Sequence, residues 1–328
     1  MQELMNLFLE KSVRNNSNII YAQAYEDDLL KAEFKRFPQK TRLNVWSISK
    51  PFVAMAAGLA ETEGILKRDE LIWKDFEQYL PQKSIYEENI KKITVEHLLT
   101  MSSGLKEPLF FCDNPLRYQI RDWIRYFFTA GEFVHEPGTQ FLYSNFNTYI
   151  LSCMIEMRTG ENLLNYLRYR LFEPIGIGNP DWTLCPQGRC MAANGLYLTI
   201  DELANFAHML LHHGSYNGKQ IVPDSFIADA CRKQIDTYAE DILLPDYESC
   251  GYGYFIRMAP IQGALLLSGN YGQYFMIYPD KNAVVGVMSL DGNNHKRIRN
   301  DLVDSIAEYY GITVKCILQN NEKINLFY

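Results

Sequence analysis

The sequence has no long hydrophobic run, no block of basic residues and no second pair of closely spaced cysteines. Each absence removes a class of function. No stretch approaches the length of a membrane span. The opening residues Met1 to Glu10 show neither a cationic start nor a sustained apolar core, so they read as a first helix rather than a secretory signal. With 32 Lys+Arg against 39 Asp+Glu the formal net charge is −7, which argues against an electrostatic grip on nucleic acid or an anionic membrane. The seven cysteines (112, 153, 185, 190, 231, 250 and 316) are odd in number and scattered, as expected of reduced thiols. These features together set the expectation of a cytoplasmic protein. Cys185 and Cys190 are close, but no partner pair gives them metal-ligand spacing. There is no Gly-x-Ser-x-Gly elbow to suggest a Ser-His-Asp hydrolase. No internal repeat, linker or low-complexity tract divides the chain.

What is present in quantity is aromatic residues, with 22 Tyr and 18 Phe in 328 residues. That length holds one large domain or two. Hydrophobic periodicity predicts a helix over 2–13 and β-capable runs over 19–25 and 29–34, joined by a turn at Glu26-Asp27-Asp28. A short strand over 43–46 follows, then a helix from Ser47 to about Gly64. The middle of the chain is mostly helical, with segments over 123–128, 148–157, 163–171 and 200–211 and another from Pro223 to about Cys231. Four β-rich runs then occur at 251–256, 263–268, 273–278 and 283–289, the last two joined by a turn at 279–282. A helix over 294–310 and a possible strand over 313–318 close the chain. This order predicts an α/β (α+β) architecture: an antiparallel sheet flanked by helices, with a mostly helical domain inserted. The expected boundaries are 1–68 plus 235–328 for the sheet domain and 69–234 for the helical one.

His208, His212 and His213 fall on a predicted helix, where an i, i+4 histidine pair could hold zinc. No carboxylate on that helix completes a zinc-hydrolase pattern, and Gly214 ends the helix just beyond. They read as structural residues satisfied by the helix end, and no metal is expected.

The chemistry is concentrated in Trp46-Ser47-Ile48-Ser49-Lys50-Pro51-Phe52. Residues three apart share a helix face, so the Ser47 hydroxyl and the Lys50 amine would be neighbours. A serine hydroxyl needs a base to become a nucleophile, and a partly desolvated lysine can serve. Pro51 suits a first helical turn. A second Ser-x-x-Lys, Ser103 to Lys106, runs into a Glu-Pro loop instead of a helix and reads as coincidence. Further on, Tyr143-Ser144-Asn145 is the one Tyr-x-Asn in the chain. Its phenol, beside a cation, is a proton carrier, and its amide could hold a substrate carbonyl or the lysine. A third element, Leu267-Ser268-Gly269-Asn270, ends a β-run in glycine-rich sequence, where a substrate can approach backbone closely.

The order Ser-x-x-Lys, Tyr-x-Asn, then Ser-Gly resembles the serine β-lactamase and penicillin-binding superfamily. The likeness is nearest to its class C β-lactamase, esterase and 6-aminohexanoate-dimer (nylon-oligomer) hydrolase branch. It extends from about Asn44 to Leu290 through Ile93 to Leu105, Glu136-Pro137-Gly138, Phe172 to Gly176, Ala193 to Leu196 and Gly251 to Tyr254. The resemblance implies the β-lactamase/transpeptidase fold and a serine hydrolase cleaving an ester or amide through a Ser47 acyl-enzyme. Lys50 and Tyr143 would move the protons, Asn145 would orient the substrate, and the N–H groups of Ser47 and Asn270 would hold the oxyanion. Leu267, Ser268 and Gly269 would form the binding strand. No metal or organic cofactor is implied, and the partner is a small ester or amide, with no nucleic acid and no membrane.

One departure stands out. β-Lactamases and D,D-peptidases carry Lys or His where this chain has Leu267, so a carboxylate clamp is missing from that position. Esterases and nylon-oligomer hydrolases vary there. The alternative reading is a catalytically weak penicillin-binding or peptide-sensing protein of the same fold. Phe110, Phe111, Trp182, Tyr271 and Tyr274 could line an acyl pocket or belong to the core.

Overall fold

A computed structural model describes residues 1–110, 114–237, 247, 249–317 and 323–326. Phe111 and Cys112, named above, lie outside these residues. The centre of the fold is a six-stranded antiparallel sheet. In chain order its strands are β1 (Ile19–Glu26), β2 (Leu29–Lys35), β3 (Arg257–Met258), β4 (Leu265–Gly269), β5 (Gln273–Tyr278) and β6 (Ala283–Ser289). Their spatial order is β2-β1-β6-β5-β4-β3, so the two ends of the chain meet where β1 pairs with β6.

The side chains of these strands divide between two cores with a period of two. Leu265, Leu267, Phe275, Ile277, Val284 and Met288 enter one apolar cluster. Leu266, Tyr274, Met276, Tyr278, Val285 and Val287 enter the other. A sheet covered on both faces needs apolar residues at successive positions, which is why 273–278 and 283–289 read as unbroken hydrophobic runs. Helix α1 (Gln2–Arg14) covers the second face through Leu4, Met5 and Phe8. It lies beside the helix spanning His295–Tyr310, called α5 below, which contributes Ile298, Leu302, Val303 and Ile306.

The first face is covered by α2 (Ser49–Thr62) and α4 (Ile200–Leu211), together with a helical lobe that includes α3 (Asn145–Thr159). Helix α2 is mostly apolar, and Ser49 to Ala60 are all buried, as in a central helix. Local chemistry sets the helix ends. The Ser144 hydroxyl caps α3 by accepting from the Phe146 amide, and Gly160, at φ +73°, terminates it. Thr199 and Glu202 form a reciprocal capping box at the start of α4.

The architecture is the expected antiparallel sheet flanked by helices. One local expectation fails, and a second is met in altered form. Residues 251–256 are not a strand, although they alternate Gly and Tyr. Tyr252 makes only isolated bridges to Ile235 and Arg257. Phe255 has φ +55°, and a Cβ on Gly253 would lie 2.1 Å from the Ala230 carbonyl oxygen. The chain there is pressed against the 230–232 backbone and bends, so the ladder begins only at Arg257. The helix expected over 163–171 is α-helical to Leu167 and then widens into a π turn over Arg168–Phe172.

Candidate active site

Ser47 stands in a single 3₁₀ turn, Trp46–Ile48, between a two-residue strand, Leu43–Asn44, and the first residue of α2. That strand pairs with Leu196–Leu198, which pairs in turn with Asp181–Trp182. The Asn44 side chain ties the junction together: its Oδ1 accepts from the Trp46 amide at 2.9 Å and from the Gly195 amide at 3.2 Å. Trp46 is held at φ +50°, a region bulky residues rarely occupy and that costs on the order of 1–3 kcal/mol. Its indole stacks on the Tyr271 ring, with centroids 4.8 Å apart and planes 17° from parallel. The backbone just before the candidate nucleophile is therefore strained and fastened from two sides.

One turn on, Lys50 is 1 % exposed. A buried amine needs partners. Its Nζ donates to Ser47 Oγ at 2.9 Å and to the Ala193 carbonyl at 3.0 Å. The Tyr143 ring lies against the same amine, 4.7 Å from Nζ to its centroid. The guanidinium of Arg257, at the start of β3, approaches that ring to 4.9 Å and the Tyr252 ring to 5.6 Å. Ser47, Lys50 and Tyr143 are thus brought together from two segments about a hundred residues apart in sequence.

Beside them opens a cavity of about 180 Å³. Ser47, Tyr143, Ser268, Gly269 and Asn270 line it, with Tyr274 from β5. Gly269 is required by the packing there, since a Cβ would sit 2.5 Å from the Val45 carbonyl oxygen. Strand β4 runs directly against the turn that carries Ser47. Leu267 does not join the lining. It is 1 % exposed and pairs with Phe275 in the core, because strand alternation turns it away when Ser268 faces the cavity. Asn145 begins α3 and borders a smaller apolar pocket with Phe110, Trp123 and Ala193. Lys50 donates its second hydrogen bond to the Ala193 carbonyl and not to this amide.

Phe110 and Trp182 are core residues, 4 % and 5 % exposed. Phe110 packs edge-on against Trp123 and Phe146, and Trp182 lies near Phe172. Tyr271, by contrast, is half-exposed over Trp46, and Tyr274 borders the cavity. The second Ser-x-x-Lys has a structural explanation. Ser103 is buried and donates to Asn147 Oδ1 at 2.8 Å, whereas Lys106 is on the surface, paired with Glu132 at 3.1 Å. Among the described cysteines, 153, 185, 190 and 231 are free thiols. No helix among the described residues is long and apolar enough to cross a membrane.

Two groups of neighbours were not singled out from sequence. The Ala193 carbonyl lies within a stretch noted only for its likeness to relatives. The cations Arg257, Lys296 and Arg299, with His295, line the cavity and come from β3 and α5. No carboxylate side chain is among the described residues that line it, in a chain whose net charge is −7.

Known proteins are similar to this chain in sequence or in fold. An uncharacterized protein of Alkalihalophilus pseudofirmus is 22 % identical over 299 residues, covering 82 % of this chain and 80 % of that one. A Bacillus anthracis protein provisionally assigned as a 6-aminohexanoate-dimer hydrolase superposes with a TM-score of 0.74 at 19 % identity, over 92 % of this chain and 82 % of its own. EstCE1, a hydrolase with promiscuous acyltransferase activity, superposes with a TM-score of 0.75 at 17 % identity, over 93 % and 98 %. At such identities the superpositions speak for the fold. The sequence model of the Beta-lactamase family matches residues 13–308, nearly the whole span from α1 to α5. The chain therefore belongs to the Beta-lactamase family, a family of β-lactamase-fold hydrolases.

Proposed function

We propose that the protein is a serine hydrolase that cleaves a small ester or amide carrying an anionic group. The observation that carries the first part is the 2.9 Å hydrogen bond between a fully buried lysine amine and the hydroxyl of Ser47, at the mouth of a cavity. Ser47 Oγ attacks the substrate carbonyl as its proton passes to the Lys50–Tyr143 pair, and a C–O bond forms. The carbonyl oxygen takes the negative charge, held by the N–H groups of Ser47 and Asn270. The carbonyl reforms, the alcohol or amine departs, and the same pair returns the proton to it. Water then adds to the acyl-enzyme carbonyl and gives a proton to that pair; the bond from the acyl carbon to Ser47 Oγ breaks, the pair returns the proton to Oγ, and the acid leaves with Ser47 restored. Asn145, beside Ala193, orients the acyl group in this scheme.

The anionic preference is supported by the lining. Arg257, Lys296 and Arg299 surround the cavity with positive charge, although position 267 carries leucine. A carboxylate beside such groups gains charge-assisted hydrogen bonds. The loss of one cation from β4 is therefore not the loss of all positive charge from the cleft.

Turnover of p-nitrophenyl esters, one neutral and one bearing a terminal carboxylate, tests the reading together with fluorophosphonate labelling and peptide mapping. Expected are label on Ser47, loss of turnover in Ser47→Ala, and a higher kcat/KM for the anionic ester. Stable acylation of Ser47 by penicillin without ester turnover would favour a binding or sensing role. Label elsewhere would end both.

A further inference from the structure

Away from the Ser47 cleft, and sharing no lining residue with it, a cavity of about 650 Å³ lies between the β1–β2 turn and the C-terminal end of α4. The turn has two residues, Asp27 and Asp28, at φ +51° and +61°. Positive φ at both positions is the hairpin geometry that matches strand twist, and Asp tolerates it. The tip is pinned, since the Asp27 amide donates to the Asn282 carbonyl at 3.0 Å. It thereby delivers the Asp28 carboxylate to α4, where His208 and His212 are one helical turn apart on one face.

The three side chains converge. Asp28 Oδ1 is 2.6 Å from His212 Nε2 and 3.2 Å from His208 Nδ1. All three potential ligand atoms lie within 4.8 Å of one another. His208 is 9 % exposed; its Nε2 is buried without a hydrogen-bond partner, and its Nδ1 has only the 3.2 Å approach of the Asp28 carboxylate. A buried imidazole in that condition carries an unrecovered desolvation cost. The Tyr25 ring packs edge-on against it at 4.8 Å and fixes its plane, and the two imidazoles are within 16° of parallel.

We propose that Asp28, His208 and His212 form a three-ligand site for a divalent zinc-type ion, with the remaining coordination position open to the cavity. Two imidazoles and one carboxylate suit zinc, whereas calcium asks for six or more oxygens. Zinc–nitrogen and zinc–oxygen bonds of about 2.0–2.2 Å fit among atoms this close after small rotations of the exposed Asp28 and His212 side chains. The ion would replace the direct Asp28–His212 contact, give His208 Nδ1 a coordinate bond in place of its longer approach to Asp28 and fasten the hairpin tip to α4. The third ligand precedes His212 by 184 residues, which is why the helix alone appeared to lack one.

The test uses the full chain, stripped with chelator and titrated with Zn²⁺ by calorimetry, with thermal melting alongside. One equivalent should bind and raise the melting temperature. His208→Ala and Asp28→Asn should each weaken binding by more than about tenfold. Asp28 is in an exposed turn, so its variant remains informative if the core His208 variant fails to fold. His213→Ala, beside the same cavity but paired with Asp224, should bind as the parent does. Co²⁺ in place of zinc should show visible ligand-field bands without thiolate charge transfer. Absence of saturable binding, affinity unchanged by the Asp28 and His208 substitutions, equal loss in His213→Ala, or a thiolate band from a cysteine site would each overturn the assignment.

Discussion

Arg257 and Lys50 bear on the same tyrosine: the guanidinium lies 4.9 Å and the amine 4.7 Å from the centroid of Tyr143. The phenol thus stands between the proposed proton-transfer group and the cationic wall of the cleft, and a change at Arg257 can act through either. Arg257→Leu should raise KM for a carboxylate-bearing ester by about 10–100-fold, the worth of one charge-assisted hydrogen bond. A neutral ester of the same acyl length should change much less. Steady-state kinetics on the pair decides it. Equal losses on both, carried in kcat, would mean that Arg257 serves Tyr143 and not the substrate.

Lys50→Met keeps the length and apolar stem of the side chain and deletes the amine that meets Ser47 and Ala193. A proton-transfer role predicts a fall in kcat/KM of about 10²–10⁴. Circular dichroism melting should show a folded protein. Folded material with turnover within a few fold of the parent would remove Lys50 from the mechanism.

Asn44→Ala leaves two backbone donors, the amides of Trp46 and Gly195, without their shared acceptor. Both bonds are only partly buried, so the expected cost is at most about 1–3 kcal/mol per donor left unsatisfied, read from urea unfolding. Turnover should fall as well, because the strained Trp46 backbone loses the bond that holds it. Asn44→Asp keeps an acceptor and should recover most of the stability. If it does not, the hydrogen bonds are not what holds the junction.

Gly269→Ala places a methyl group 2.5 Å from the Val45 carbonyl oxygen, a backbone atom that cannot swing aside. Overpacking of this kind costs about 1–3 kcal/mol and here would displace β4 from the Ser47 turn. The measurement is acylation of Ser47 by fluorophosphonate, expected to slow in step with the drop in unfolding midpoint. A variant that labels at the parental rate would show that β4 can move without harm.

Glu33 gives the fold a dependence on acid. Burial alone would raise its pKa, but hydrogen bonds from Lys40, Gln23 and Lys35 hold it at about 2 instead of 4.5. A carboxyl depressed in the folded state contributes stability above its unfolded pKa and loses it as pH falls through the folded value. Stability should therefore decline between pH about 4.5 and about 2. In Glu33→Gln the decline over that window should be shallower, as followed by urea midpoints. Parallel curves for the two proteins would exclude the group.

Much of the site could be read from sequence where it is local. Ser47 and Lys50 are three residues apart on one helical turn, and that spacing alone brings them together. The sheet strands at 273–278 and 283–289 were visible because they are buried on both faces. What stayed hidden depends on distant segments meeting. Arg257, Lys296 and Arg299 are unremarkable cations until β3 and α5 are brought to one rim, and Asp28 looks like a turn residue until the hairpin reaches α4. Leu267 was placed in the cleft by its motif, yet the pleat of β4 sends it into the core. Gly251 to Ile256 mimic a strand in composition, but positive φ at Phe255 and the close backbone at Ala230 exclude one.

The near-contact of Gly269 with the Val45 carbonyl makes one wall of the cleft a fixed dimension. With no room for even a methyl group between the Ser47 turn and its neighbouring strand, adaptation to bulkier substrates of the proposed hydrolase has to occur on the opposite side. Selection for new acyl groups should accordingly collect substitutions along 141–145 and 295–299 and spare 45–48 and 268–270. The protein would widen its range like a vice with one stationary jaw.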